Sequence, residues 1–300
     1  MVIDAFGREV RSMRISVTHR CNMNCFYCHN EGENFCSEEM SIEEIEEIVR
    51  AASNIGIRKI KITGGEPLLR EDLAELISRI RKYLEEISLT TNGTLLSKFA
   101  EELKEAGLER VNISLDTLDE KKYEEICGKA LLYKALEGIE SAIEFAFFPI
   151  KLNTVVLKGI NDMEFDKLLY FATKKNVILQ LIELYPFSKA LERYYCSLED
   201  FERSLKRKAV SFETNELHNR KKYFIPFNGS VSEVEVVRPM HNKQFCKNCR
   251  RVRITADGKV KGCISSLPIK LDKENLEESL INAIRARVPR WWNEQRFPRD

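Results

Sequence analysis

The chain has 300 residues, with 48 Lys and Arg against 47 Asp and Glu, and it carries nine Cys and four His. That length suits one large domain or two ordinary ones with cores that need no staples, and an apolar fraction of 43% with 32% charged residues excludes a disordered chain. A formal net charge of +1 excludes a global pull toward nucleic acid or membrane but leaves local patches open.

The N-terminus carries scattered charges and no apolar signal core, and no apolar run approaches the roughly 18 residues of a membrane span. The expected compartment is the cytoplasm, where the cysteines are thiols. Residues 14–17 read as a strand, and Ser41 with Glu44 forms a capping box that opens a helix over 41–56. Strand-like stretches at 59–62, 87–90, 111–115, 150–157 and 177–184 alternate with helical ones at 73–83, 96–106, 120–147 and 164–175. About six β–α steps predict a parallel sheet with helices outside, either doubly wound or barrel-like. Cys21, Gly64–Gly65–Glu66, Asn92 and Asp116 each follow a strand. A barrel gathers its functional groups there, whereas a doubly wound sheet concentrates them at one switch point. The expectation is an α/β fold, an open partial (β/α)6 TIM-type barrel over 1–186, with a C-terminal region over 187–300. Residues 187–245 read as irregular and basic, with short strands at 223–225 and 234–237, and a helix is expected at 276–287.

Spacing carries the chemistry. Cys21-x3-Cys25-x2-Cys28 places three thiols on one loop with no fourth at similar spacing. Structural zinc takes four ligands, whereas three thiolates suit three corners of a [4Fe–4S] cluster and leave one iron open. Cys246-x2-Cys249-x13-Cys263 taken alone fits either a Cys3His zinc site with His241 or a second three-Cys cluster; beside the first triplet the cluster is the preferred reading. Cys36, Cys127 and Cys196 have no partner in spacing and read as structural, Cys36 least securely because it lies near the first loop. The Gly64–Gly65 turn lets a ligand approach the backbone. Arg14, Lys59 and Lys61 lie on strands, and Arg251 and Arg253 alternate about Val252 so as to share a face. Inward-facing cations on a buried strand call for an anion, and guanidinium groups suit phosphate oxygens. The Trp291–Trp292 pair reads as packing against the last helix.

The first triplet, with Tyr27 before its last Cys and Gly64-Gly65-Glu66 downstream, resembles the radical S-adenosylmethionine enzymes. RISVTHRCN at 14–22, KIKITGGEPLLR at 59–70, SLD at 114–116, GIND at 159–162 and the second triplet followed by Arg-x-Arg resemble one branch, the GTP 3′,8-cyclases of molybdenum cofactor biosynthesis, over about residues 4–290. The resemblance implies two [4Fe–4S] clusters, the second in the C-terminal extension, and S-adenosylmethionine at the open iron of the first. It implies a 5′-deoxyadenosyl radical that takes the ribose 3′ hydrogen of GTP, after which C3′ attacks guanine C8 to give 3′,8-cyclo-7,8-dihydro-GTP. Gly64, Gly65 and Glu66 would meet the methionine moiety, and Tyr27, Thr91, Asn92 and Ser114 would also bind S-adenosylmethionine. Arg14, Lys59, Lys61, Arg251 and Arg253 would hold the triphosphate or guanine, and Lys151 the triphosphate. A ferredoxin- or flavodoxin-type reductant and cyclic pyranopterin monophosphate synthase downstream are implied partners, and a homodimer stays open. Three departures stand out: Gln180 where bacterial members often carry Arg, His19 where Asp is common, and a tail without a terminal Gly-Gly. The competing readings are a radical enzyme acting on a peptide or other substrate, and a zinc-stabilised interaction protein.

Overall fold

The computed structural model describes residues 1–33, 38–215, 220–240 and 242–288. The expectations for Cys36, His241, Trp291–Trp292 and the tail lie outside the described residues. The strands are β1 (Val2–Ile3), β2 (Glu9–Val10), β3 (Ser12–Ser16), β4 (Lys59–Thr63), β5 (Glu86–Thr91), β6 (Arg110–Ser114), β7 (Lys151–Val156), β8 (Ile178–Glu183), β9 (Ser211–Asn215), β10 (Arg220–Phe227), β11 (Ser230–Val237), β12 (Arg251–Ile254), β13 (Lys259–Lys261) and β14 (Ile269–Lys270). β1 and β2 form a separate antiparallel pair, and the others join one sheet in the order β14-β13-β12-β3-β4-β5-β6-β7-β8-β11-β10-β9.

Strands β3 to β8 are parallel and stand in chain order with no reversal. With right-handed crossovers, constant order sends every connecting helix to the same face. The helices Ile42–Asn54, Leu73–Arg81, Leu96–Glu105 and Leu132–Glu144 accordingly touch one another in succession. Alternation along each strand supplies their core: Met13, Ile15, Ile60, Ile62, Ile87, Leu89, Val111, Ile113, Leu152 and Leu179 are all buried. The first helix begins as expected, with Glu44 N donating to Ser41 Oγ at 3.2 Å and Ser41 N donating to Glu44 Oε2 at 3.0 Å.

Two expectations are corrected. The stretch 120–147 is two helices, Glu120–Cys127 and Leu132–Glu144, parted at Gly128, which takes φ +69°. That left-handed turn ends the first helix against the Cys21–Cys28 loop: Asn24 N donates to Cys127 O at 2.9 Å and Phe26 N to Ile126 O at 3.1 Å. The described residues of 187–245 are not irregular. They form the helices Lys189–Glu192 and Glu199–Lys208 and the antiparallel strands β9, β10 and β11. The strongly charged helix Glu199–Lys208 buries Leu205 as its single fully covered residue, too little for a visible apolar period. The C-terminal strands also lengthen the parallel run, because β11 pairs in parallel with β8 and β12 with β3.

Candidate active site

The first triplet lies on the loop after β3, and the turn after β4 locks it in place. Gly65 N donates to Thr18 O at 2.8 Å and Glu66 N to Arg20 O at 2.7 Å. A Cβ on Gly64 would stand 2.5 Å from Thr18 O, and one on Gly65 would stand 2.2 Å from Arg20 O. The two glycines thus serve first to bring the chain against its own cysteine loop. Glu66 is fully buried and accepts from Leu68 N at 3.1 Å, Thr91 Oγ1 at 2.7 Å and Asn92 N at 2.7 Å; burial pushes its carboxyl up. Asn92 Nδ2 donates to Asn22 Oδ1 at 2.8 Å, which ties the end of β5 to the same loop. Tyr27 donates to Asp116 Oδ2 at 2.5 Å, and Asp116 Oδ1 accepts from Val155 N at 2.8 Å; burial raises the Asp116 carboxyl to about 6. The groups expected after four successive strands therefore meet at one end of the sheet, and Ser114 closes β6 beside them.

The sulfurs suit thiolate ligation. Met23 N donates to Cys21 Sγ at 3.4 Å and Asn30 N to Cys28 Sγ at 3.4 Å, the kind of donor that tunes Fe–S thiolates. Burial pushes the Cys21 thiol up to about 11 and raises Cys28 as well. Cys127, which spacing left without a partner, is buried and in contact with the Cys25 thiol, and that contact is the main cause raising Cys25. Among the described residues no three His, Cys, Asp or Glu side chains converge closely enough to chelate one metal ion; a cubane cluster spreads its thiolates more widely than a single ion does.

The second triplet owes its long interval to a hairpin. β12 and β13 pair antiparallel with Arg253 opposite Lys261, which returns the chain to Cys263 near Cys249. Arg287 binds both arms, donating to Gly262 O at 3.1 Å, Cys249 O at 3.1 Å and Cys249 Sγ at 3.7 Å, while Arg8 donates to Cys246 O at 2.8 Å. Burial alone would raise the Cys249 thiol, but Arg287, Arg251 and Arg253 outweigh it and the net shift is downward. Cys249 precedes β12 and Cys21 follows β3, its parallel neighbour. The triplets therefore stand at opposite ends of the same two strands, separated on the order of 16 Å for five residues at about 3.3 Å each.

Between them runs the second face of the sheet, which is polar where barrels of this kind are filled with apolar side chains. Ser12, Arg14 and Ser16 on β3 match Arg251 and Arg253 on β12, and Lys59, Lys61 and Thr63 on β4. Lys61 Nζ donates to Asn112 Oδ1 at 2.8 Å, Asn112 Nδ2 to Asn153 Oδ1 at 3.3 Å, and Gln180 Nε2 to the same oxygen at 2.7 Å. Burial lowers Lys61, and Arg14, Arg110, Arg251 and Lys151 add to the effect because all project toward it. Burial lowers Arg251 in the same way, with Arg14, Arg253 and Arg220 adding repulsion. Among the described residues these cations outnumber the carboxylates Glu31, Glu33, Glu86 and Glu235 that face them or border them.

Glu31 is one functional residue that sequence reasoning missed. It sits three residues past Cys28 at φ +53°, bonded to Arg14 Nη1 at 2.9 Å, to Thr63 Oγ1 at 3.0 Å and to Arg253. Glu235, also missed, takes Lys151. The acid-free basic window drew attention to Arg251 and Arg253, whereas Glu31 stands in an ordinary polar loop with no periodic signal. Lys59 shares the polar face but lies at its rim, half-exposed and 3.8 Å from Glu86. The structure brings the other named cations together and leaves Lys59 at the edge.

A cysteine loop at one end of a parallel sheet, a second triplet at the other and a cationic face between them make up the candidate site. Residues 15–172 match the Radical SAM superfamily, and residues 177–293 match Molybdenum Cofactor Synthesis C. The Streptococcus suis protein SuiB, solved bound to S-adenosylmethionine, shares the fold with a TM-score of 0.62 at 17% identity, over 92% of this chain and 64% of that one. SuiB bound to precursor peptide SuiA gives a TM-score of 0.66 at 16% identity, and this chain covers 65% of its length. A probable GTP 3′,8-cyclase of Pyrococcus abyssi is 53% identical over 88% of both chains. Another from Thermococcus kodakarensis is 44% identical over 97% of this chain and all of its own length. The chain belongs to the GTP 3′,8-cyclase family.

Proposed function

We propose that this chain is a GTP 3′,8-cyclase that carries out the first step of molybdenum cofactor biosynthesis. The observation that carries the reading is the row of partly buried cations, Arg14, Lys61, Arg251 and Arg253, lying between two thiol triplets. A triphosphate supplies the negative charge that such a face lacks. Cys21, Cys25 and Cys28 would hold one [4Fe–4S] cluster, and Cys246, Cys249 and Cys263 the other. Bound there, the first cluster and S-adenosylmethionine would supply the radical chemistry that joins ribose C3′ of GTP to guanine C8.

The chain's own part is to bind, orient and exclude water. Gly64, Gly65, Glu66, Thr91, Asn92, Ser114 and Tyr27 form the end of the sheet where S-adenosylmethionine would lie. Arg14, Lys61, Lys151, Arg251 and Arg253 would hold GTP, with Lys59 an outer contact. The sheet acts as a partial (β/α)6 barrel over 1–186, and 187–300 acts as the extension that brings the second cluster to its open edge. Among the described residues no helix is long and apolar enough to cross a membrane. In this reading the enzyme works in the cytoplasm beside a ferredoxin- or flavodoxin-type reductant, ahead of cyclic pyranopterin monophosphate synthase. Action on a peptide rests on fold likeness alone, at 16% identity, against 53% for a named cyclase.

The test is anaerobic reconstitution with iron and sulfide, followed by reductant, S-adenosylmethionine and each nucleotide in turn. GTP alone should yield 5′-deoxyadenosine together with a cyclised nucleotide of unchanged mass. Cleavage of S-adenosylmethionine indifferent to nucleotide would remove GTP from the reading.

A further inference from the structure

Gln180 on β8 uses both ends of its amide. Its Nε2 donates to Asn153, and its Oε1 accepts from Arg220 Nη1 at 2.6 Å. Arg220 opens β10, far outside the run β3 to β8. It reaches the polar face because β10 pairs antiparallel with β11, and β11 lies parallel to β8 with Glu235 opposite Gln180. An amide orients a guanidinium but brings no charge to it. The carboxylate beside Arg220, Glu235, stands 3.9 Å away and is already bonded by Lys151. Burial lowers Arg220, Glu235 opposes that, and Arg14 and Arg110 add to it from across the face. Arginine stays charged in proteins, so a partly buried guanidinium that faces other cations is stabilised when an anion joins it.

We propose that Arg220 is a further phosphate-binding residue of the nucleotide site, supplied by the C-terminal hairpin, with Gln180 as the residue that positions it. The assignment rests on the GTP reading above. A phosphate is the fitting ligand, because guanine is neutral and would leave the repulsion among Arg220, Arg14 and Arg110 in place. The planar fork of arginine also matches two phosphate oxygens at once. With Lys151 and Arg220 on one flank and Arg14, Arg251 and Arg253 on the other, the triphosphate is gripped by strands from both edges of the parallel run.

The experiment is calorimetric binding of GTP and of guanosine to the anaerobically reconstituted protein, compared across wild type, Arg220→Ala, Arg220→Lys and the double variant Arg220→Ala/Gln180→Arg. Loss of a charge-assisted bond should weaken GTP binding by about tenfold or more in Arg220→Ala and leave guanosine binding unchanged. Arg220→Lys should fall between, and the double variant should regain affinity, because residue 180 touches the guanidinium it would replace. Unchanged GTP affinity in Arg220→Ala would overturn the proposal, as would an equal loss for GTP and guanosine. Should Arg220→Ala misfold by circular dichroism, Arg220→Lys carries the same comparison. Failure of the wild type itself to bind GTP would count against the GTP reading and not against the placement of Arg220.

Discussion

The outer helix surface and the inner face of the sheet use the same charged residues to opposite effect. On the outside, Arg79 donates to Glu46 Oε2 at 2.8 Å and Glu43 Oε1 at 2.6 Å, and Lys82 lies 3.0 Å from Glu46. These hydrogen bonds raise Arg79 and Lys82 and push the Glu46 carboxyl down to about 2. On the inside, burial shifts Arg14, Lys61, Arg220 and Arg251 downward and neighbouring cations add to it, while Glu31 opposes the shift at Arg14 and Glu235 opposes it at Arg220. A net charge of +1 therefore hides a segregated molecule. Balanced pairs in water contribute little, whereas an excess of partly buried cations favours binding of an anion.

The largest effect should come from removing inner cations. Arg251→Ala and Arg253→Ala should each raise the KM for GTP by about tenfold or more, while 5′-deoxyadenosine still forms in slow uncoupled turnover. Unchanged KM values would mean that the inner face is structural and that the contrast with the helix surface has no functional content.

An intermediate effect should follow Glu31→Gln, which leaves Arg14 and Arg253 without their carboxylate. The cluster is only partly buried, so losing its carboxylate should cost about 1 kcal/mol, and added inorganic tripolyphosphate should restore part of the lost thermal midpoint. The sign of the pH dependence follows from the lowered Glu31 carboxyl, against its ordinary value of 4.5. Its contribution is fully present above pH 4.5 and declines as pH falls below it, so wild type and variant should converge in acid. Melts showing a constant gap from pH 7 downward would refute the ion-pair account.

The smallest effect should come from the outer surface. Glu46→Gln removes the hub of the Arg79–Lys82 network, yet exposed pairs contribute little. Its melting curve should lie within scatter of the wild type, with the KM for GTP unaltered. A marked change in KM would erase the distinction between the two faces.

Much of this was readable along the chain. The capping box at Ser41, the strand–helix alternation to 184 and both cysteine spacings are local patterns, and local patterns survive in sequence. The alternation of Arg251 and Arg253 about Val252 also put two cations on one face of a strand. Less legible were the break at Gly128, masked by continuing helical composition, and the place of the hairpin over 220–237, whose Asn228–Gly229 turn is local but whose parallel pairing with β8 is not.

The sequence by itself determined the chemistry available: two thiol triplets, a glycine turn and a set of guanidinium groups, each set by spacing over a few residues. Only the tertiary structure decided how they face one another. β12 beside β3 put the triplets at opposite ends of one face, and β11 beside β8 delivered Arg220 to Gln180. Strand neighbours far apart in sequence are chosen by burial of the whole sheet, and no local period records that choice.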